Sequence, residues 1–153
     1  MTIFEAISII LSFGALFAVF WEMRELRFQL RMNTYMEYTA RYSEILARFP
    51  SKVLEDLDYS LEDCLREHPD FRNLARRYFW LLQDEYFLQK RGLLPNDQWR
   101  AWEEEFFNML KLKSLRQVWR VLRDEVVYPQ EFVSYVDHHL KEKLGGAGDQ
   151  GRE

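Results

Sequence analysis

Three histidines, one cysteine and a pair of adjacent carboxylates are the first places to look for chemistry in this chain. A di-iron helical bundle needs a glutamate three residues before a histidine, so that both reach one metal from one helix face. The residues three before His68, His138 and His139 are Leu65, Tyr135 and Val136. The His-Glu-x-x-His pattern of zinc helices is missing as well. A helical ribonuclease of the kind that sets an arginine four to six residues ahead of a histidine is excluded on the same count. Asp137-His138-His139 offers donors, but consecutive helical residues point in different directions and cannot close on one ion, so these read as solvated side chains. The sequence holds no glycine-rich phosphate loop and no Gly-x-Ser-x-Gly elbow. No metal, cofactor or small-molecule substrate is expected, and the chain reads as a protein other than an enzyme.

Asp84 and Glu85 stand apart because they interrupt the most apolar interior segment between Leu82 and Tyr86. A carboxylate buried there would need a partner, and the expectation is a buried acid pair held by a nearby arginine, with a functional acid or simple surface exposure as the alternatives. Glu103-Glu104-Glu105 reads as the wet face of a neighbouring helix. Cys64, the only cysteine, excludes an intrachain disulfide and is assigned to packing.

The elements that would position these groups are helical. Ile3 to Trp21 is an apolar run with Glu5 as its only charge, followed by Arg24, Arg27 and Arg31. At 1.5 Å per residue it reaches about 28 Å, close to the hydrocarbon thickness of a bilayer. The arginines place the following chain on the cytoplasmic side, and Trp21 at the interface. The start Met-Thr-Ile-Phe-Glu and the bulky Phe17-Ala18-Val19-Phe20-Trp21 argue against a cleaved signal, so residues 1–22 are expected to remain as a single-pass inner-membrane anchor, N-terminus outside.

Residues 23–144 are expected to form one cytoplasmic domain. With 25 aromatic residues (Phe 12, Tyr 8, Trp 5) and 48% apolar residues, the chain is built to pack rather than to stay disordered. Net charge is −4 with acids and bases interspersed, which disfavours nucleic acid as a partner; Arg76, Arg77, Lys90 and Arg91 are read as dispersed surface charge. Ile3 to Phe49 contains one glycine and no proline, so the anchor continues as one helix of about 45 residues. Pro50, Ser60, Pro95, Ser114 and Pro129 mark further helix starts, Gly92 a stop, and Pro69 to Arg91 an element buried on most sides. The fold class is therefore all-α: an N-terminal transmembrane helix running into a bundle of about four to six helices, with residues 145–153, glycine-rich, as a flexible tail.

Within the anchor, Glu5, Ser8, Ser12 and Ala15 recur at alternating three and four, a seam of the small and polar kind through which membrane helices associate. Tyr35, Tyr38 and Tyr42 on the juxtamembrane helix, and Trp99 and Trp102 beyond the Gly92 turn, are the candidate outward patch. The run Gln29-Leu30-Arg31-Met32-Asn33-Thr34-Tyr35-Met36-Glu37-Tyr38-Thr39-Ala40-Arg41-Tyr42, with Phe87-Leu88-Gln89-Lys90-Arg91-Gly92-Leu93-Leu94, resembles a group of small bacterial membrane-anchored proteins carrying a domain of unknown function. The resemblance covers about a quarter of the chain and implies a one-helix anchor with a helical cytoplasmic domain, and no catalytic residue. The expected partners are the lipid bilayer and a protein, or a second copy of the chain. The function expected is that of a non-catalytic interaction or scaffold module, with a homo-oligomeric pore-forming effector as the alternative and an enzyme disfavoured.

Overall fold

The computed structural model describes residues 3–145, with side chains at residue 4 and from 12 to 142. Among these residues are seven helices and no strand: α1 Ile3–Leu46, α2 Ser51–Glu55, α3 Leu61–Glu67, α4 Phe71–Lys90, α5 Asn96–Met109, α6 Lys113–Glu125 and α7 Gln130–Gly145. The chain divides into two units, residues 1–37 and 38–153. That division falls within α1, later than the expected boundary after residue 22.

The first unit is helix alone. Phe13, Leu16, Phe17, Val19, Phe20, Trp21, Met23 and Leu26 are all at least half exposed. Within it Phe17 meets Trp21 with ring centroids 6.4 Å apart, and the Thr34 hydroxyl donates to the Leu30 carbonyl at 2.9 Å. Among the described residues no helix is long and apolar enough to cross a membrane. The side chains of residues 5–11, which complete the expected anchor and include Glu5 and Ser8, lie outside the described residues, as does the tail beyond Gly145. Ser12 and Ala15 are exposed.

The second unit has an aromatic core. Phe71, Ala75, Tyr78, Phe79, Leu82 and Tyr86 recur at three- and four-residue spacing along α4 and are buried. Phe79 meets Trp119 of α6 at 4.8 Å between centroids, Trp119 meets Phe132 of α7 edge-on at 5.8 Å, and Phe49 meets Phe71 at 5.4 Å. Such offset and edge-on pairs add to the burial of each ring. As expected, α4 is buried on most sides, and its one outward face carries Arg77, Trp80 and Asp84, with Trp80 46% exposed.

Local chemistry sets the boundaries. The Ser60 hydroxyl accepts from the Asp63 N–H at 3.1 Å and starts α3. Gly92 has φ 68°, and the Leu93 N–H returns to the Leu88 carbonyl at 2.9 Å, closing α4 in the left-handed turn glycine adopts most readily. Ser114 does not cap α6, as its position suggested: Leu112 holds the N-cap position with no side-chain cap bond, and Ser114 is fully buried with an unpartnered hydroxyl. The Lys113 N–H instead donates to the Leu57 carbonyl at 3.0 Å, fastening α6 to the α2–α3 connection.

Candidate functional site

Asp84 and Glu85 do not form a buried pair. Asp84 projects to the surface, whereas Glu85, one residue on, turns inward and is only 3% exposed. A helix rotates about 100° per residue, so neighbours on α4 straddle its inner and outer faces. The expected arginine is also missing from Glu85, which makes no hydrogen bond and no ion pair to any described residue. Burial, and then the charge of Asp84, raise its carboxyl from 4.5 to about 8, so it is protonated at neutral pH. The carboxyl of Asp84 is raised by partial burial too, with the Arg41 charge opposing.

Glu85 lines a cavity of about 170 Å³ with Thr39 and Tyr42 of α1, Leu82 of α4, and Trp102, Glu105 and Phe106 of α5. The Tyr42 hydroxyl donates to Glu105 Oε1 at 3.2 Å, and burial followed by the Glu105 charge pushes that phenol above its ordinary range. The Thr39 hydroxyl is buried with no partner. Two carboxyl groups, a spare hydroxyl and three aromatic rings therefore share one small space, and no basic side chain lines it.

A second, open cleft of about 650 Å³ lies between α6 and α7, lined by Arg116, Trp119, Arg120, Arg123, Asp137, Leu140 and Lys141. Asp137 is held from two sides: Trp119 Nε1 donates to it at 2.9 Å and Arg123 Nη1 at 2.7 Å. Arg116 donates to the carbonyls of Leu110 and Lys111 at the end of α5, where carbonyls lack intrahelical partners. Arg120 and Lys141 are exposed.

The two candidate aromatic groups are brought together in part, Tyr42 and Trp102 on the wall of the cavity. Tyr35, Tyr38, Tyr42, Trp99 and Trp102 are each half-buried. Tyr38, Tyr42 and Trp99 pack against the core, Trp99 facing Tyr86 and Tyr135 at 6.3 and 6.2 Å, and Tyr38 faces Trp102 at 6.4 Å. Of Asp137, His138 and His139, read as solvated, only His138 is exposed; His139 packs against Phe107 with the rings tilted and their centroids 4.6 Å apart. Glu103, also placed on a wet face, accepts from the Tyr135 hydroxyl. Among the described residues no group of three metal-donor side chains gathers. Cys64 is fully buried, and burial pushes its thiol up to about 11.

Sequence reasoning singled out Glu85, Tyr42 and Trp102 separately but assembled neither site. The cavity joins residues more than 60 positions apart, and no local signal groups them. The cleft did leave one: Arg116, Arg120 and Arg123, at spacings of four and three, form a cationic stripe on α6 that the low overall charge conceals. Compared with known proteins, the chain matches no family model, no curated protein and no solved structure.

Proposed function

We propose that the chain is a single-pass membrane protein whose helical domain serves as a non-catalytic interaction module at the cytoplasmic face. The observation that carries this reading is the first unit of α1, where Phe13, Leu16, Phe17, Val19, Phe20 and Trp21 all stand uncovered in sequence with an apolar stretch of bilayer length. Water would oppose exposing so much apolar surface on one helix, at roughly 25 cal/mol for each Å², whereas acyl chains would cover it. Arg24, Arg27 and Arg31 support the N-out, C-in orientation. The cleft of Arg116, Arg120, Arg123 and Lys141 suits an acidic segment of a protein partner, since its charges converge around a single carboxylate.

Membrane fractionation tests the proposal. The full chain should pellet with membranes and stay there through an alkaline carbonate wash, while a chain lacking residues 1–22 should move to the supernatant. Full-length protein found folded in the soluble fraction, without detergent, would overturn it.

A further inference from the structure

We propose that the cavity between α1, α4 and α5 is a binding site for a small organic ammonium ion, held by Glu85 and Glu105 and by the rings of Tyr42, Trp102 and Phe106. This is separate from the membrane reading and does not rest on it.

The argument begins with Glu85. An acid only 3% exposed gives up most of its hydration on folding, and Glu85 receives no compensating hydrogen bond or ion pair from the described residues, keeping only its opening onto the cavity. Leucine or methionine would fill that position on α4 at no such cost. The wall of the cavity indicates what would complete the acid. Glu105 adds a second carboxyl group at the rim, Thr39 contributes an unpartnered buried hydroxyl, and the three rings offer the electron-rich faces that attract cations. An anion would meet two acids and no compensating base. A bare divalent ion is poorly served, because calcium takes six to eight oxygens and here Leu82 and three rings occupy much of the wall. An ammonium group on a short apolar chain satisfies both parts: its N–H groups meet the carboxylates and its carbons meet the rings.

Size narrows the class. At about 170 Å³ the space is similar to the cavity of about 150 Å³ that takes up benzene in an engineered protein core, so a ligand of about six non-hydrogen atoms fits. The titratable groups around Glu85 are Tyr42 on α1, Glu105 on α5 and Tyr78 on α4, with the charge of Asp84 acting from the outer face of α4. None is basic, so a cation arriving in the cavity would be the charge that ionises Glu85, and the displaced proton would leave to solvent.

Calorimetric titration of the full chain in mild detergent with n-butylammonium chloride tests this. Affinity should rise about tenfold from pH 6 to 7 and level off above pH 8, because the cation competes with one proton for a carboxylate titrating near 8. Repeating the titration in buffers of different ionisation heat should show up to one proton released. n-Butanol and butyrate should each bind at least tenfold more weakly than the ammonium. Glu85→Gln keeps the shape and the neutral-pH charge of the site; it should lose more than tenfold in affinity together with the pH dependence. Glu105→Gln, at the rim, should lose severalfold and serves if the first variant does not fold. n-Butanol binding as tightly as the ammonium, a Glu85→Gln chain that keeps its affinity, or no binding to folded protein at pH 8 would overturn the proposal.

Discussion

Asp137 and Glu85 are both acids set among aromatic side chains, and the protein treats them in opposite ways. Asp137 is half-buried and receives an indole N–H at 2.9 Å and a guanidinium at 2.7 Å, so its charge has been matched as it left water. Glu85 is more deeply buried and receives nothing, so it keeps its proton instead. The fold can supply a partner for a buried acid, as α6 and α7 show. Leaving Glu85 bare against a cavity is thus a property of one site, and the two acids should respond differently to the same perturbations.

The largest difference should come from pH. The carboxyl of Glu85 is raised on folding, so the native state holds a proton there that the unfolded chain has released between pH 4.5 and about 8. Stability associated with it is fully present below the unfolded value and falls as pH rises through that window. The fall is up to about 1.4 kcal/mol per pH unit, or about 2.5 kcal/mol between pH 5 and 7. Urea unfolding at those two pH values should show the loss in the parent chain and little of it in Glu85→Gln; parallel pH profiles would erase the contrast with Asp137.

Asp137→Ala should cost about 2 kcal/mol, since it leaves the Trp119 N–H buried without an acceptor and Arg123 with only the exposed Asp124 as a carboxylate partner. Thermal melts of this variant that match the parent would mean that the paired acid contributes no more than the bare one. Arg120, by contrast, lines the same cleft and is exposed without a described ion pair, so Arg120→Ala should change stability by less than about 0.5 kcal/mol. The same substitution sharpens the proposed role of the cleft if it lowers capture of an acidic partner without moving the melting point.

Legibility followed the range of the interaction that decides each feature. Helix boundaries were readable where Pro50, Ser60, Gly92, Pro95 and Pro129 act within a few residues of themselves: the end of α1, the starts of α2, α3, α5 and α7, and the end of α4 lie close to these signals. The inward stripe of α4 was readable from its periodicity, but Trp80 was not: an apolar residue on the outer face of a helix looks the same in sequence as one on the inner face. Ser114 carried a capping residue type, yet packing overrode it. The two sites were least visible. Glu85 was noticed for its apolar neighbours, while Tyr42 and Glu105, 63 positions apart, meet only once three helices are assembled. Asp137 was set aside with its histidines because Trp119 and Arg123 lie on another helix.

The buried thiol of Cys64 gives the molecule a clock of its own. It is the single sulfhydryl in the chain, fully enclosed on α3, and its reluctance to ionise adds to its enclosure. A thiol-reactive dye can reach it only when α3 swings away from α4 and α6, against which it packs. The slow rise of dye colour from undisturbed protein would therefore time how often those helices part, with no engineered label and no denaturant.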